Sequence, residues 1–178
     1  MNYKSLVTLL MIPLSCMADG GREKSVAAAF NEYCLVKASD FSALSARATA
    51  EHLQVQLERD IPMPDGGVMK QKNWFIPVFG KAPMMLTAGD TKNGNLHVFG
   101  CGIYVADGDG QKIAAALSEL PRMADPIRSY KIKEGATVIW WRAKVGESQA
   151  SEKSEVMLST DVPGLPGTSI HLILKSNN

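Results

Sequence analysis

Met84-Met85-Leu86-Thr87-Ala88-Gly89-Asp90-Thr91-Lys92-Asn93-Gly94-Asn95-Leu96-His97-Val98-Phe99-Gly100-Cys101-Gly102-Ile103-Tyr104-Val105 is the stretch that decides the fold. Met84–Ala88 reads as a strand. Thr91–Asn95 reads as a turn, because Asn-Gly tolerates the positive φ that a tight hairpin needs. Leu96–Val105 returns as a second strand, antiparallel to the first. Along it Phe99, Cys101, Ile103 and Val105 alternate, so Cys101 lies on the apolar side of a pleated strand. Gly100 and Gly102 share the other parity. A face without side chains invites the close approach of another element or backbone.

Upstream, Glu23–Lys37 is expected to be helical. Val26, Ala29, Phe30, Tyr33 and Cys34 follow helical spacing, which puts Cys34 on an apolar face. A second helix is expected from a cap at Ser39 or Asp40 to about Gln56, with Phe41, Leu44, Ala48, His52 and Val55 on one side. Residues 57–82 are broken by Pro62, Pro64, Gly66, Gly67, Pro77 and Gly80. Within them Trp74-Phe75-Ile76-Pro77-Val78-Phe79 reads as a short strand, placed at an edge or broken by Pro77.

Downstream, a helix over Gly110–Leu120 carries the stripe Ile113, Ala116, Leu117 and Leu120. Pro121 and Pro126 bound a loop. Strands follow at Thr137–Val145, Glu155–Thr160 and Ser169–Lys175, joined as a meander. The expectation is an α+β domain: two N-terminal helices and one central helix packed on an antiparallel sheet of about five to six strands.

A chain of 178 residues with 46% hydrophobic content is long enough for one folded domain and too apolar for disorder. Met1–Ala18 reads as a signal peptide. Lys4 is its positive end, Leu6–Leu14 its apolar run, and cleavage falls after Ala18, leaving 19–178 as a single domain. The rival reading takes Pro13-Leu14-Ser15-Cys16 as a lipoprotein signal, with Cys16 lipid-modified and the protein anchored to a membrane. The run is too short to cross a bilayer, and no later stretch is long or apolar enough, so no transmembrane segment is expected in the mature chain. The segment holds one basic residue, Lys4, so the remainder has equal numbers of acidic and basic residues. Nucleic acid, whose binding rests on phosphate neutralisation, is not an expected partner. With Cys16 removed or modified, Cys34 and Cys101 remain, an even pair in an exported protein. They are expected to form a disulfide, worth about 4 kcal/mol in the chain-entropy model. The alternative is two buried free thiols.

Phe30, Cys34, Phe41, Cys101, Val105, Asp109, Leu117 and Trp141 together resemble the pattern of small exported proteobacterial proteins of uncharacterised function. In those, an early helix carries Phe-x-x-x-Cys, a strand carries the second cysteine, and an acid-capped helix precedes a final meander with a tryptophan. The resemblance implies export, the disulfide and this type of fold. It implies no activity.

Asp107-Gly108-Asp109-Gly110 fails as a calcium loop, since Val105 and Ala116 would stand at ligand positions; a turn and helix cap explains it. His52, His97 and His171 are far apart and form no zinc motif. Met63, Met69, Met84, Met85, Met123 and Met157 are scattered, as gap-filling methionines are, and do not form a copper series. No serine has the context of a hydrolase nucleophile, and Gly100-x-Gly102 lacks the rest of a dinucleotide fingerprint. No cofactor, metal or catalytic residue is expected.

The interaction signal is aromatic. Trp140 and Trp141 are adjacent in one strand and point to opposite faces. Trp141 shares parity with Ile139, Ala143 and Val145 and is expected in the core. Trp140 shares a face with Val138 and Arg142. Left open, that face makes Trp140 a contact anchor; the alternative is that Trp74–Phe79 or a helix covers it. The candidate contact residues are therefore Trp74, Phe75, Phe79, Trp140 and Arg142. The functional expectation is a non-catalytic exported protein, periplasmic or secreted, that binds another envelope protein. An envelope hydrolase with an unrecognised site and a small-ligand carrier are the alternatives.

Overall fold

The computed structural model describes residues 21–36, 40–64, 66–78, 81–131, 136–146, 154–162 and 165–177. Helix α1 (Arg22–Phe30) runs on into a π-helical stretch (Asn31–Val36), and α2 spans Phe41–Ala50. Four strands follow: β1 (Gln54–Pro62), β2 (Val68–Ile76), β3 (Met84–Asn93) and β4 (Leu96–Val105). Helix α3 (Gly110–Ser118) then leads into β5 (Met123–Lys131), β6 (Thr137–Ala143), β7 (Ser154–Val162) and β8 (Leu165–Asn177). All eight strands form one sheet, in the order β1-β2-β3-β4-β8-β7-β6-β5, and every pairing is antiparallel.

The fold is α+β, but the expected sheet of five to six strands is corrected to eight. Two local causes hid the extra strands. The first is the end of α2, which stops at Ala50 and not near Gln56. His52 takes a left-handed φ of 56°. Its N–H donates to the Thr49 carbonyl, and that of Leu53 donates to the Ala48 carbonyl, the paired bonds of a Schellman stop. Glycine usually marks such a stop, and here a histidine makes it. His52 and Val55, expected on the buried side of that helix, lie outside it and are exposed. Val55 lies in β1 instead, opposite Trp74. The second cause is proline. Pro62 ends β1, an edge strand, and Pro126 lies in β5, the other edge strand, at a point where the register shifts. Edge positions and bulges are where a strand tolerates the missing N–H. Both strands are largely exposed on both faces, so neither shows the alternation of a half-buried strand.

The hairpin that opened the sequence reading forms as expected, with β3 and β4 turning at Gly94, which has a φ of 54°. Of the two cap candidates, Asp40 caps α2 by accepting from the Ala43 N–H at 2.8 Å; Ser39 lies outside the described residues. Asp109 caps α3, accepting from Gln111 and Lys112.

The helices pack on one face of the sheet. Met84, Leu86, Ala88, Phe99, Cys101, Ile103, Val105, Val156, Leu158, Ile170 and Leu172 line that face and form the core with Val26, Phe30, Leu35, Leu44, Ile113 and Leu117. Cys34 and Cys101 form the expected disulfide, with their Cα atoms 5.5 Å apart. No helix among the described residues is long and apolar enough to cross a membrane.

The strand register discloses an internal duplication. α2 and the meander β1–β4 are followed by α3 and the meander β5–β8, and the two meanders meet along β4 and β8. Equivalent positions follow from the pairing. The row Val55–Trp74–Leu86–Ile103 matches the row Pro126–Trp141–Val156–Leu172. Each edge strand shifts register at the same place, between Val55 and Leu57 and between Pro126 and Arg128. Each helix has an Asp N-cap, and each packs on the third strand of its own meander. The period is roughly seventy residues, longer than the 20–50 of common repeat arrays, and residue identity across it is low. Gly102 and His171 pair with each other and hold equivalent positions, which puts them at the centre of the two-fold relation.

α1 and its π-helical continuation belong to neither unit and bridge both. α1 packs on α3 and β4. Arg22 reaches Asp107 at 2.7 Å, and Gly146 donates its N–H to the Leu35 carbonyl at 2.8 Å. Tyr33, Cys34 and Leu35 are buried in succession, more than one face of a regular helix supplies, and they fall in the wider π turn. Arg47 of α2 stacks on the Tyr33 ring and pairs with Glu32 and Glu51. Burial, with a hydrogen bond to Glu51, pushes the Tyr33 hydroxyl pKa up to about 12. Tyr33 therefore stays a neutral donor at any physiological pH.

Candidate functional site

The face of the sheet opposite the helices carries the second parity of every strand. One cross-strand row on it runs Leu57–Asn73–Thr87–Gly102 through the first unit and continues His171–Met157–Trp140–Arg128 through the second. The two halves of the row are equivalent by register and differ in chemistry. The first is a leucine with small or amide side chains. The second is an imidazole, a thioether, an indole and a guanidinium. On the helix face the same comparison returns tryptophan for tryptophan at Trp74 and Trp141 and aliphatic for aliphatic at Leu86 and Val156 and at Ile103 and Leu172, but it also sets Met84 against Ser154 and Phe99 against Thr168. The middle of the core is alike in the two units, and the opposite face differs along this whole row.

Each member of the divergent row has a local reason for its place. The Arg128 guanidinium lies 4.3 Å from the centroid of the Trp140 ring, a cation–π contact that holds both side chains over the sheet. Trp140 is partly buried, and its indole N–H has no partner among the described residues. His171 occupies the space that Gly102 leaves empty. A Cβ on residue 102 would stand 2.5 Å from His171 Nδ1 and 2.9 Å from Thr87 Oγ1. The close approach anticipated at the two glycines is thus made by a side chain of the neighbouring strand. Burial lowers the His171 pKa, so the ring is neutral at physiological pH.

Two further rows flank this one. Phe75, Met85 and Tyr104 stand in one, and Arg142, Glu155 and Ile173 in the other. Lys175 pairs with Glu155 at 3.4 Å. Among the described strand residues paired in regular register on this face the cations are Arg59, Arg128, Arg142 and Lys175 and the carboxylate is Glu155, and Asp125 lies in the β5 bulge opposite Arg142. The face therefore carries an excess of positive charge although the chain as a whole is almost neutral.

The sequence candidates separate accordingly. Trp140, Arg142 and Phe75 share the face opposite the helices and are half-buried there, while Asn73, Val138, Ser159 and Ser169 of the same face are buried. Trp74 is fully buried on the helix face, equivalent to Trp141, and is corrected from contact candidate to core residue. Adjacent strand residues face opposite ways, so Trp74 and Phe75 could not both be surface anchors. Trp141 is buried as its parity required. Phe79 and Cys16 lie outside the described residues. Arg128, Met157 and His171 were not singled out as contacts, because their proximity depends on the pairing of β5 to β8.

The remaining candidates have structural partners. Asp107 pairs with Arg22, and Asp109 caps α3. His97 contacts Asp90 on the helix face. Met84 is buried in the core, and the Met85 sulfur accepts from Asn73 Nδ2 at 3.8 Å. Among the described residues no group of three or more His, Cys, Asp or Glu could hold a metal ion. An open cleft of about 360 Å³ at the start of α3 is lined by Gly108, Asp109, Gly110, Gln111, Thr137, Thr160 and Asp161. Of its carboxylates, Asp109 is engaged as the cap of α3. Compared with protein-family models, curated proteins and solved structures, the chain finds no match.

Proposed function

We propose that this is an exported, non-catalytic binding protein of the bacterial cell envelope, periplasmic, secreted or lipid-anchored through Cys16, whose contact surface is the open sheet face around Trp140. The observation that carries the reading is the divergence of two equivalent rows. Leu57, Asn73, Thr87 and Gly102 in the first unit stand where Arg128, Trp140, Met157 and His171 stand in the second, whereas Trp74 and Trp141 coincide on the helix face. Tryptophan and arginine are both among the residue types enriched at binding hot spots. A disulfide supports export, because such bonds persist in oxidising compartments.

The test is cross-linked capture from the native envelope with the disulfide-bonded protein. One partner should be enriched with the parent protein and with Arg59→Ala, which changes the open face of the first unit. The same partner should be lost with Trp140→Ala, folding being verified by near-ultraviolet circular dichroism. A partner retained by a folded Trp140→Ala variant would move the contact surface elsewhere. The envelope hydrolase and the small-ligand carrier are the rival classes, and no constellation described above favours either.

A further inference from the structure

The two edges of the sheet are equivalent by register and differ in how they are guarded. β1 carries charges of alternating sign, Glu58, Arg59 and Asp60, and two of them are tied to β2: Lys72 to Glu58 at 2.8 Å, Arg59 to Gln71 at 3.0 Å. Mixed charge along an edge repels an added strand of either sign. β5 carries Ile127, Arg128, Ser129, Tyr130 and Lys131 after its bulge, with no carboxylate among them. Ile127 is 43% exposed and Tyr130 49% exposed. From Arg128 to Lys131 the pairing with β6 runs in unbroken register, so the outer backbone groups of this stretch present a regular ladder.

We propose that β5 accepts an added strand, an extended acidic segment of a partner protein. Its backbone pairs along 127–131 and its side chains reach onto the open face toward Arg128 and Trp140. The inference rests on the open-face reading above and adds the chemistry and the mode of contact. Two arguments select the occupant. The backbone ladder of an edge strand is satisfied by another peptide strand, and neither a lipid headgroup nor a nucleic-acid backbone supplies alternating N–H and C=O groups. Charge selects the sign, since Arg128 and Lys131 on the edge favour carboxylates. A second copy of this chain joined edge to edge would gather Arg128 and Lys131 of both copies along one short ladder with no carboxylate among residues 127–131, which disfavours that occupant.

The experiment uses the disulfide-bonded protein and a short capped peptide of alternating glutamate and valine, with its lysine–valine counterpart as control. Affinity is read by titration and location by amide hydrogen exchange. The acidic peptide should bind at least roughly tenfold tighter than the lysine peptide. Amides within 127–131 should gain protection, and N-methylation along the peptide should abolish binding with a period of two residues. Arg128→Glu should reverse the preference between the two peptides. Binding with protection on β6–β8 but none on β5 overturns strand addition and leaves the open-face reading intact. Binding to phosphatidylglycerol vesicles without any peptide binding also overturns the inference, as does equal affinity for both peptides. Absence of all binding overturns it too. The capture experiment with Trp140→Ala decides the underlying reading independently.

Discussion

The α2–β4 unit and the α3–β8 unit solve the same packing problem with nearly the same parts. Both place a tryptophan from the second strand under an Asp-capped helix, Trp74 in one and Trp141 in the other. Both bend the edge strand with a bulge at the same register position. They part on the opposite face, where amide and small side chains in one unit stand against indole, imidazole, thioether and guanidinium in the other. The positions alike in both units are those that pack against a helix in each, and the row that differs lies on the face the helices leave. The first unit is also the one enclosed by the Cys34–Cys101 bond, and the second has no such closure.

The largest expected effect tests the shared positions. Trp74→Ala and Trp141→Ala should each cost about 3–5 kcal/mol in urea unfolding, and the two values should agree closely. A large gap between them would break the equivalence of the units. Removing the disulfide comes next. Cys34→Ala with Cys101→Ala should cost about 2–4 kcal/mol. Hydrogen exchange should accelerate in β1–β3, within the closed loop, more than in β5–β7. Equal acceleration in both would show that the bond acts on the sheet as a whole. The caps give a smaller, paired effect. Asp40→Ala and Asp109→Ala should each lose about 1 kcal/mol, read by thermal unfolding.

The last effect is silent at neutral pH. Burial lowers the His171 pKa in the folded state, so the unfolded chain binds that proton more readily. The contribution of His171 is complete above the ordinary histidine pKa of about 6.5 and falls as pH drops below it. His171→Gln should remove that part of the acid sensitivity, seen as a flatter dependence of stability on pH between about 7 and 5. An unchanged slope would mean that His171 titrates as an exposed histidine does.

Much of this fold was legible from patterns confined to a few residues. The Asn-Gly hairpin, the alternation around Cys101, the spacing around Cys34 and the Asp caps are signals within a turn or a strand. The strands that were missed, β1 and β5, lie at edges, where exposure on both faces erases alternation. The stop at His52 was missed because an uncommon residue takes the left-handed position there. The duplication escaped because its repeats share little residue identity; an Asp cap followed by apolar residues at Leu44 and Ile113, with Trp74 and Trp141 downstream, was the available trace. Half of the candidate surface was legible, Trp140 with Arg142 on one parity. The other half, Arg128, Met157 and His171, required the order of the strands.

The Cys34–Cys101 bond has a mechanical consequence. Its two ends are 67 residues apart and bracket α2, β1, β2 and β3. A pull applied at the two ends of the chain passes through the bond and leaves that segment untensioned. Stretching the oxidised protein can then extend the second unit and the flanks, while roughly 230 Å of contour stays hidden in the loop until the bond is reduced.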